Sequence, residues 1–178
     1  MSSFDGLTTF RTVRQAYEHL AETGRVRSDA NQIAVVDMLD GLIADFEGQT
    51  YGDWKVEGEA FGGGPAEGTL PGQMRVGGFL GERLVNSFSG GDSSVGTLTS
   101  PPVTIERPYL NFLIGGGGYP GETCINLLRD GEVVRTATGP NDVSGGSEQL
   151  DWHTWGVSDL KGTSVILQIV DRRRGGWG

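Results

Sequence analysis

From residue 43 onward the apolar positions come in short runs broken by glycine and proline, and the three strongest runs lie next to one another. They are YLNFLI at 109–114, TCINLL at 123–128 and EVVRTAT at 132–138. Each is short and rich in β-branched or aromatic side chains, which suits a strand. Asp130-Gly131 separates the second and third runs and tolerates the positive φ angles of a type I′ hairpin turn. Between the first two stands a longer loop, Gly115 to Gly118 followed by Tyr119-Pro120-Gly121. The pattern predicts a three-stranded antiparallel meander in the middle of a sheet. Its first two strands are apolar at nearly every position and need cover on both faces.

Weaker runs on either side extend the picture. Strands are expected over residues 42–47, 54–57, 84–88, 97–99, 103–106, 148–157 and 165–170. Pro101, Pro102 and Pro108 punctuate strand starts and edges. In the 148–157 run, Asp151, His153 and Trp155 point one way and Trp152 and Thr154 the other. Phe46, Trp54, Phe112, Ile114, Ile125, Leu127, Trp152 and Ile166 are the candidate core. About nine or ten short strands with long loops predict an all-β, jelly-roll-like antiparallel β-sandwich.

The N-terminal segment follows a different period. In residues 8–22, Phe10, Val13, Tyr17 and Leu20 recur at helical spacing, with Thr8 or Thr9 to start the helix and Gly24 to end it. A second helical stretch over 29–42 carries Ile33, Val36, Leu39 and the adjoining Ile43 along one side. The chain therefore divides into a short helical extension or linker, residues 1–42, and a β-sandwich, residues 43–178. His19 falls on the polar side of the first helix and reads as a surface residue.

Composition narrows the function. The 31 glycines are not periodic, so they mark turns rather than a collagen-like repeat. A formal net charge of −9 argues against nucleic acid and against an anionic membrane surface as partner, and is compatible with a neutral ligand. The lone cysteine, Cys124, lies within an expected strand and reads as a buried, inert thiol. No apolar run is long enough to span a bilayer, and no secretion signal is visible, so localisation stays open. The chain has no G-x-S-x-G, no H-E-x-x-H, no paired cysteines for zinc and no P-loop. The four-glycine run at 115 joins two strands rather than opening a helix, so it reads as a turn rather than a phosphate cradle.

One cluster stands out chemically. The chain ends on Asp171-Arg172-Arg173-Arg174-Gly175-Gly176-Trp177-Gly178, and a triple arginine is unusual on an acidic chain. Guanidinium forks pair with hydroxyls or carboxylates, and an indole offers a stacking face. Trp177, Asp171, Arg172 and Arg173 are thus candidate ligand-binding residues, with His153 and Asp151 from their shared strand face as candidate neighbours. A solvated loop with Asp171 as the arginines' local partner is the plainer reading.

The segments DFEG…YGDW, TLPGQM, LVNSF, GTLTSPP, INLL-x-DGEVVRTATGPN, LDWHTW-x-VSDLKG and QIVDRRRGGWG resemble the non-catalytic β-sandwich module that precedes the catalytic domain in bacterial family 32 glycoside hydrolases. Those are levanase, fructan hydrolase and invertase-type enzymes, and the resemblance covers residues 43–178. It implies a carbohydrate-binding-type module for fructans or related fructosides, with the catalytic domain of such an enzyme as its partner, and secreted or periplasmic relatives. Catalysis in that family needs carboxylates in N-D-P-N-G, R-D-P and E-C-P type motifs flanking the scissile bond, and none of these occurs here. No enzymatic activity is therefore expected of this chain. The family module continues beyond GGWG with a strand of the form H-I-N-x-D, so the last strand is expected to be lacking; its WDVS segment reads Trp155-Gly156-Val157-Ser158 here. In many jelly-roll modules carboxylates near the chain ends hold a structural calcium, for which Asp45 and Glu47, on the expected first strand, are candidate ligands. A module that packs against the catalytic domain without binding sugar is the alternative.

Overall fold

The computed structural model describes residues 18–19, 21–23, 46–143 and 145–177. Its β-elements run in chain order: β1 (Lys55–Gly58), β2 (Val76–Gly77), β3 (Gly96–Thr99), β4 (Val103–Thr104), β5 (Tyr109–Ile114), β6 (Thr123–Arg129), β7 (Glu132–Ala137), β8 (Glu148–Gln149), β9 (Asp151–Gly156) and β10 (Ser164–Asp171). The fold is all-β. One large sheet has the order β1-β3-β10-β6-β7, with β4 paired to the start of β10, and every pairing in it is antiparallel. The second layer is an antiparallel ribbon of β5 and β9. A short parallel pair, β2 with β8, lies apart from both. None of the described helical residues belongs to a helix long and apolar enough to cross a membrane.

β6 and β10 sit at the centre of the large sheet because both are apolar along their length and need neighbours on each edge. Side chains alternate across a strand, so Val165, Leu167 and Ile169 of β10 share a face with Ile125 and Leu127 of β6 and Leu98 of β3. The ribbon brings Trp155, Leu110, Phe112 and Ile114 down onto this face, and these residues form one core with Tyr51, Trp54 and Phe61. The hairpin between β6 and β7 turns on Asp130 and Gly131 at φ 53° and 83°, the type I′ geometry that this dipeptide encodes.

The expected meander does not form. β5 pairs with β9 and not with β6, so it belongs to the opposite layer. The glycine-rich stretch after it is a crossover rather than a hairpin loop. Gly118 N–H donates to the Asn141 carbonyl at 2.6 Å and Asn141 N–H to the Gly116 carbonyl at 3.2 Å. A side chain at Gly117 would collide with the Trp177 carbonyl, 2.1 Å from its Cβ position. The run is glycine because three backbone segments meet there.

Three strand assignments also change. Phe46 and Glu47 are helical and not part of a strand over 42–47; residues 42–45 lie outside the described residues. Of residues 84–88 only Leu84 makes a bridge, to Ala66. Asn86 accepts from the Phe88 N–H and trades amide hydrogen bonds with Gln73, and these local bonds displace a ladder. The 148–157 strand breaks at Leu150, whose N–H donates to the Gly77 carbonyl as the chain changes partner from β2 to β5. Of the expected helical extension, residues 18–19 and 21–22 are helical, and Thr23 donates from its backbone N–H and its hydroxyl to the His19 carbonyl at 3.0 and 2.7 Å. The rest of that extension lies outside the described residues.

Candidate functional site

A cleft of 1680 Å³ opens between the two layers. All of residues 110–114 line it. Consecutive strand residues face opposite ways, so the cleft must run along the edge of β5 that β9 leaves unpaired. Ile125, Leu167 and Ile169 form the floor, and the segment 79–88 forms the opposite wall. Phe46 to Gln49 closes one end; Gly115 to Gly117 and Trp177 close another. Aromatic rings line much of it, among them Phe79, Phe88, Phe112 and Trp152.

Trp152 is the residue that strand alternation reassigns. It was expected in the core, yet it is 65% exposed. Trp155, of the opposite parity, takes the buried place, edge-on to Phe112 at 4.7 Å between ring centroids. Ile166 likewise is only partly buried, on the opposite face of β10 from its buried neighbours Val165 and Leu167. Trp152 stands opposite Leu113, and the next pair along the same ribbon face is Thr154 and Asn111. The Thr154 hydroxyl donates to Asn111 Oδ1 at 2.8 Å, which engages the oxygen of an exposed amide whose N–H groups remain donors. An exposed indole next to a fixed amide and hydroxyl is the kind of surface on which a sugar ring stacks through its C–H face. The sequence already placed Trp152 and Thr154 on one face; their neighbours across the ribbon were hidden because the partner of β5 was misassigned.

The C-terminal segment brings the other candidates partly together. Arg173 is held on both sides: its guanidinium lies 3.6 Å over the Tyr119 ring and 3.1 Å from Glu122 Oε2. Arg174 donates to the Ser93 carbonyl at 2.7 Å. The side chain of Arg172 is exposed, while its backbone N–H donates to the Glu122 carbonyl at 2.7 Å. Trp177 donates from Nε1 to the Val143 carbonyl at 2.9 Å and lies against Gly146. His153 sits 5.3 Å from Phe112 in the aromatic layer, and Asp151 is exposed opposite Ile114. Among the described residues, no hydrogen bond, ion pair or ring contact joins either of them to residues 171–177.

Asp171 is buried, 2% exposed, and no arginine pairs with it, contrary to the plainer reading of the terminal run. Burial pushes its carboxyl pKa up, while the Ser87 hydroxyl and the Arg173 backbone N–H oppose that rise without cancelling it. Glu148, on the cleft lining, is raised too, first by burial and then by the negative charge of Asp92. Glu47 accepts from the Glu82 N–H at 2.9 Å. Among the described residues no group of three His, Cys, Asp or Glu side chains comes together as a metal site, and Asp45 lies outside those residues.

No family model matches the chain. No solved structure matches it. A curated relative described as "Putative glycosyl hydrolase ecdE", from Aspergillus rugulosus, is 42% identical over 143 residues, which is 78% of this chain. The chain spans 20% of that relative's length, so it is related to one portion of a glycosyl hydrolase-type protein.

Proposed function

We propose that the chain is a non-catalytic carbohydrate-binding module of a family 32 type glycoside hydrolase and that its cleft takes fructan chains. The observation that carries this reading is the exposed Trp152 on the cleft wall, flanked by the Asn111–Thr154 pair. The glycosyl hydrolase relative and the family-like motifs supply the setting, and the missing carboxylate motifs argue for an accessory role. The platform is amphipathic, as a neutral sugar requires: the indole removes C–H surface from water while the amide pairs with a hydroxyl.

The test is calorimetry and affinity electrophoresis with levan, inulin and sucrose, comparing wild type with Trp152→Ala. Losing the stacking surface should weaken binding by about tenfold, since burying an aromatic face contributes about 1.5 kcal/mol or more. The folding of Trp152→Ala should be unaffected, because the ring is exposed. If wild type binds none of these sugars, or if Trp152→Ala binds as wild type does, the reading is wrong.

A second reading has its own support. Leu80 at 66%, Trp152 at 65% and Tyr109 at 62% exposure give the domain unusual apolar surface. That surface would suit docking on the catalytic domain of the same enzyme. In that case Trp152→Ala weakens the association with that domain and leaves sugar titrations flat.

A further inference from the structure

Alternation along β10 turns Asp171 to the same side as Leu167 and Ile169, the cleft floor. Both of its carboxylate oxygens are buried without a hydrogen-bond partner. Its register neighbours are Gly96 and Thr123, and neither brings a positive charge. The three arginines that follow it in sequence are exposed or held by Tyr119, Glu122 and Ser93. Buried carboxylates without partners are costly and rare, and where they persist they call for an explanation.

Ser87 supplies one. It is half-buried on the cleft lining, and its hydroxyl lies near the carboxylate without reaching hydrogen-bond geometry. An ionised carboxylate only accepts, and a serine has one proton to give. If that proton turns to Asp171, the Ser87 oxygen offers the cleft lone pairs alone. We infer that Ser87, oriented by Asp171, is an acceptor subsite for a hydroxyl group of the bound carbohydrate. This rests on the carbohydrate reading of the cleft. Asp171 is then a positioning residue, and the subsite selects ligands that can donate at that point.

The experiment is a double-mutant cycle of Asp171→Asn, Ser87→Ala and the pair, each titrated with levan-derived and inulin-derived oligosaccharide and each melted without sugar. Each single change should weaken binding by roughly three- to tenfold, the effect of one lost hydrogen bond. The double change should weaken it no further, because both act through one interaction. Without sugar, Asp171→Asn should melt no lower than wild type, because it removes a buried charge that no cationic side chain pairs. Additive losses, wild-type binding by both single variants, or a destabilised Asp171→Asn would each overturn the inference, the last by showing that the carboxylate holds the fold. A wild type that binds neither oligosaccharide would overturn the carbohydrate reading itself, and a wild type that binds while both variants match it would overturn only this subsite.

Discussion

Replacing Tyr51 with phenylalanine isolates a single buried hydrogen bond and gives it a pH signature. Tyr51 is 2% exposed, and its hydroxyl donates to the Phe61 carbonyl at 2.9 Å in the interior. Phenylalanine keeps the ring and its packing but leaves that carbonyl without its donor. Stranding a buried acceptor costs about 1–3 kcal/mol, more than the net value of an average hydrogen bond. Burial also pushes the Tyr51 phenol up from 10 to about 12. The folded state therefore favours the neutral form. The stabilisation that Tyr51 gives is complete below about pH 10 and is lost as pH rises toward 12. A two-unit shift corresponds to about 3 kcal/mol of lost stability once the phenol is ionised in both states. The phenylalanine side chain cannot ionise, so the Tyr51→Phe variant escapes that loss. Urea unfolding of both proteins at a series of pH values should show wild type ahead near neutrality, then a gap that closes through the alkaline range as far as both remain folded. A gap that stays constant up to about pH 11, or equal stabilities at neutral pH, would refute the reasoning.

Two further predictions concern the core and the turns. Leu127 is fully buried on the central strand β6 under the ribbon, so Leu127→Ala should cost about 2–5 kcal/mol in urea unfolding, the range for a buried leucine whose cavity only partly collapses. Gly58 and Gly121 share the same backbone conformation at φ 80° and 81°, but a Cβ at Gly58 would lie 2.3 Å from the Val95 carbonyl, whereas one at Gly121 meets nothing. Gly121→Ala should therefore cost only about 1 kcal/mol for the left-handed backbone, and Gly58→Ala clearly more; equal melting temperatures for the two would count against the packing described.

Sequence reading succeeded where one local rule decides the outcome. The β6–β7 hairpin follows from Asp130-Gly131, and β10 from an apolar run that only Gln168 interrupts. It failed where pairing depends on residues far apart. The Tyr109–Ile114 run is a strand, as its side chains require, but nothing within it encodes β9 as its neighbour rather than β6. That error carried over to the site. Trp152 looks like core when the 148–157 run is read by hydrophobicity, and like surface once Phe112 and Trp155 are known to share the inner face. The terminal cluster was found because arginine and tryptophan are conspicuous in an acidic chain. What sequence could not show is that Arg173 and Arg174 are engaged by protein groups while Asp171 turns inward alone.

That engagement bears on what the cleft can accept. Among the described residues, Arg83 is the one basic side chain on its lining, and it is already paired with Glu67 and bound to the Pro65 carbonyl. Glu47, Glu82 and Glu148 line the same space. Burial, and then the negative charge of Asp92, push the Glu148 carboxyl pKa up. An anionic ligand would find no free guanidinium among the described lining residues, and several carboxylates. A cationic one would have to give up its hydration against a floor of Ile125, Leu167 and Ile169, a desolvation cost that needs a well-made ion pair to offset it. A neutral, hydroxyl-rich chain meets neither obstacle. Its C–H faces match the aromatic walls, and its hydroxyls match the Asn111 amide and the Ser87 oxygen. The charge of the whole molecule, like the lining of the cleft, disfavours an anionic ligand and is compatible with the neutral one proposed.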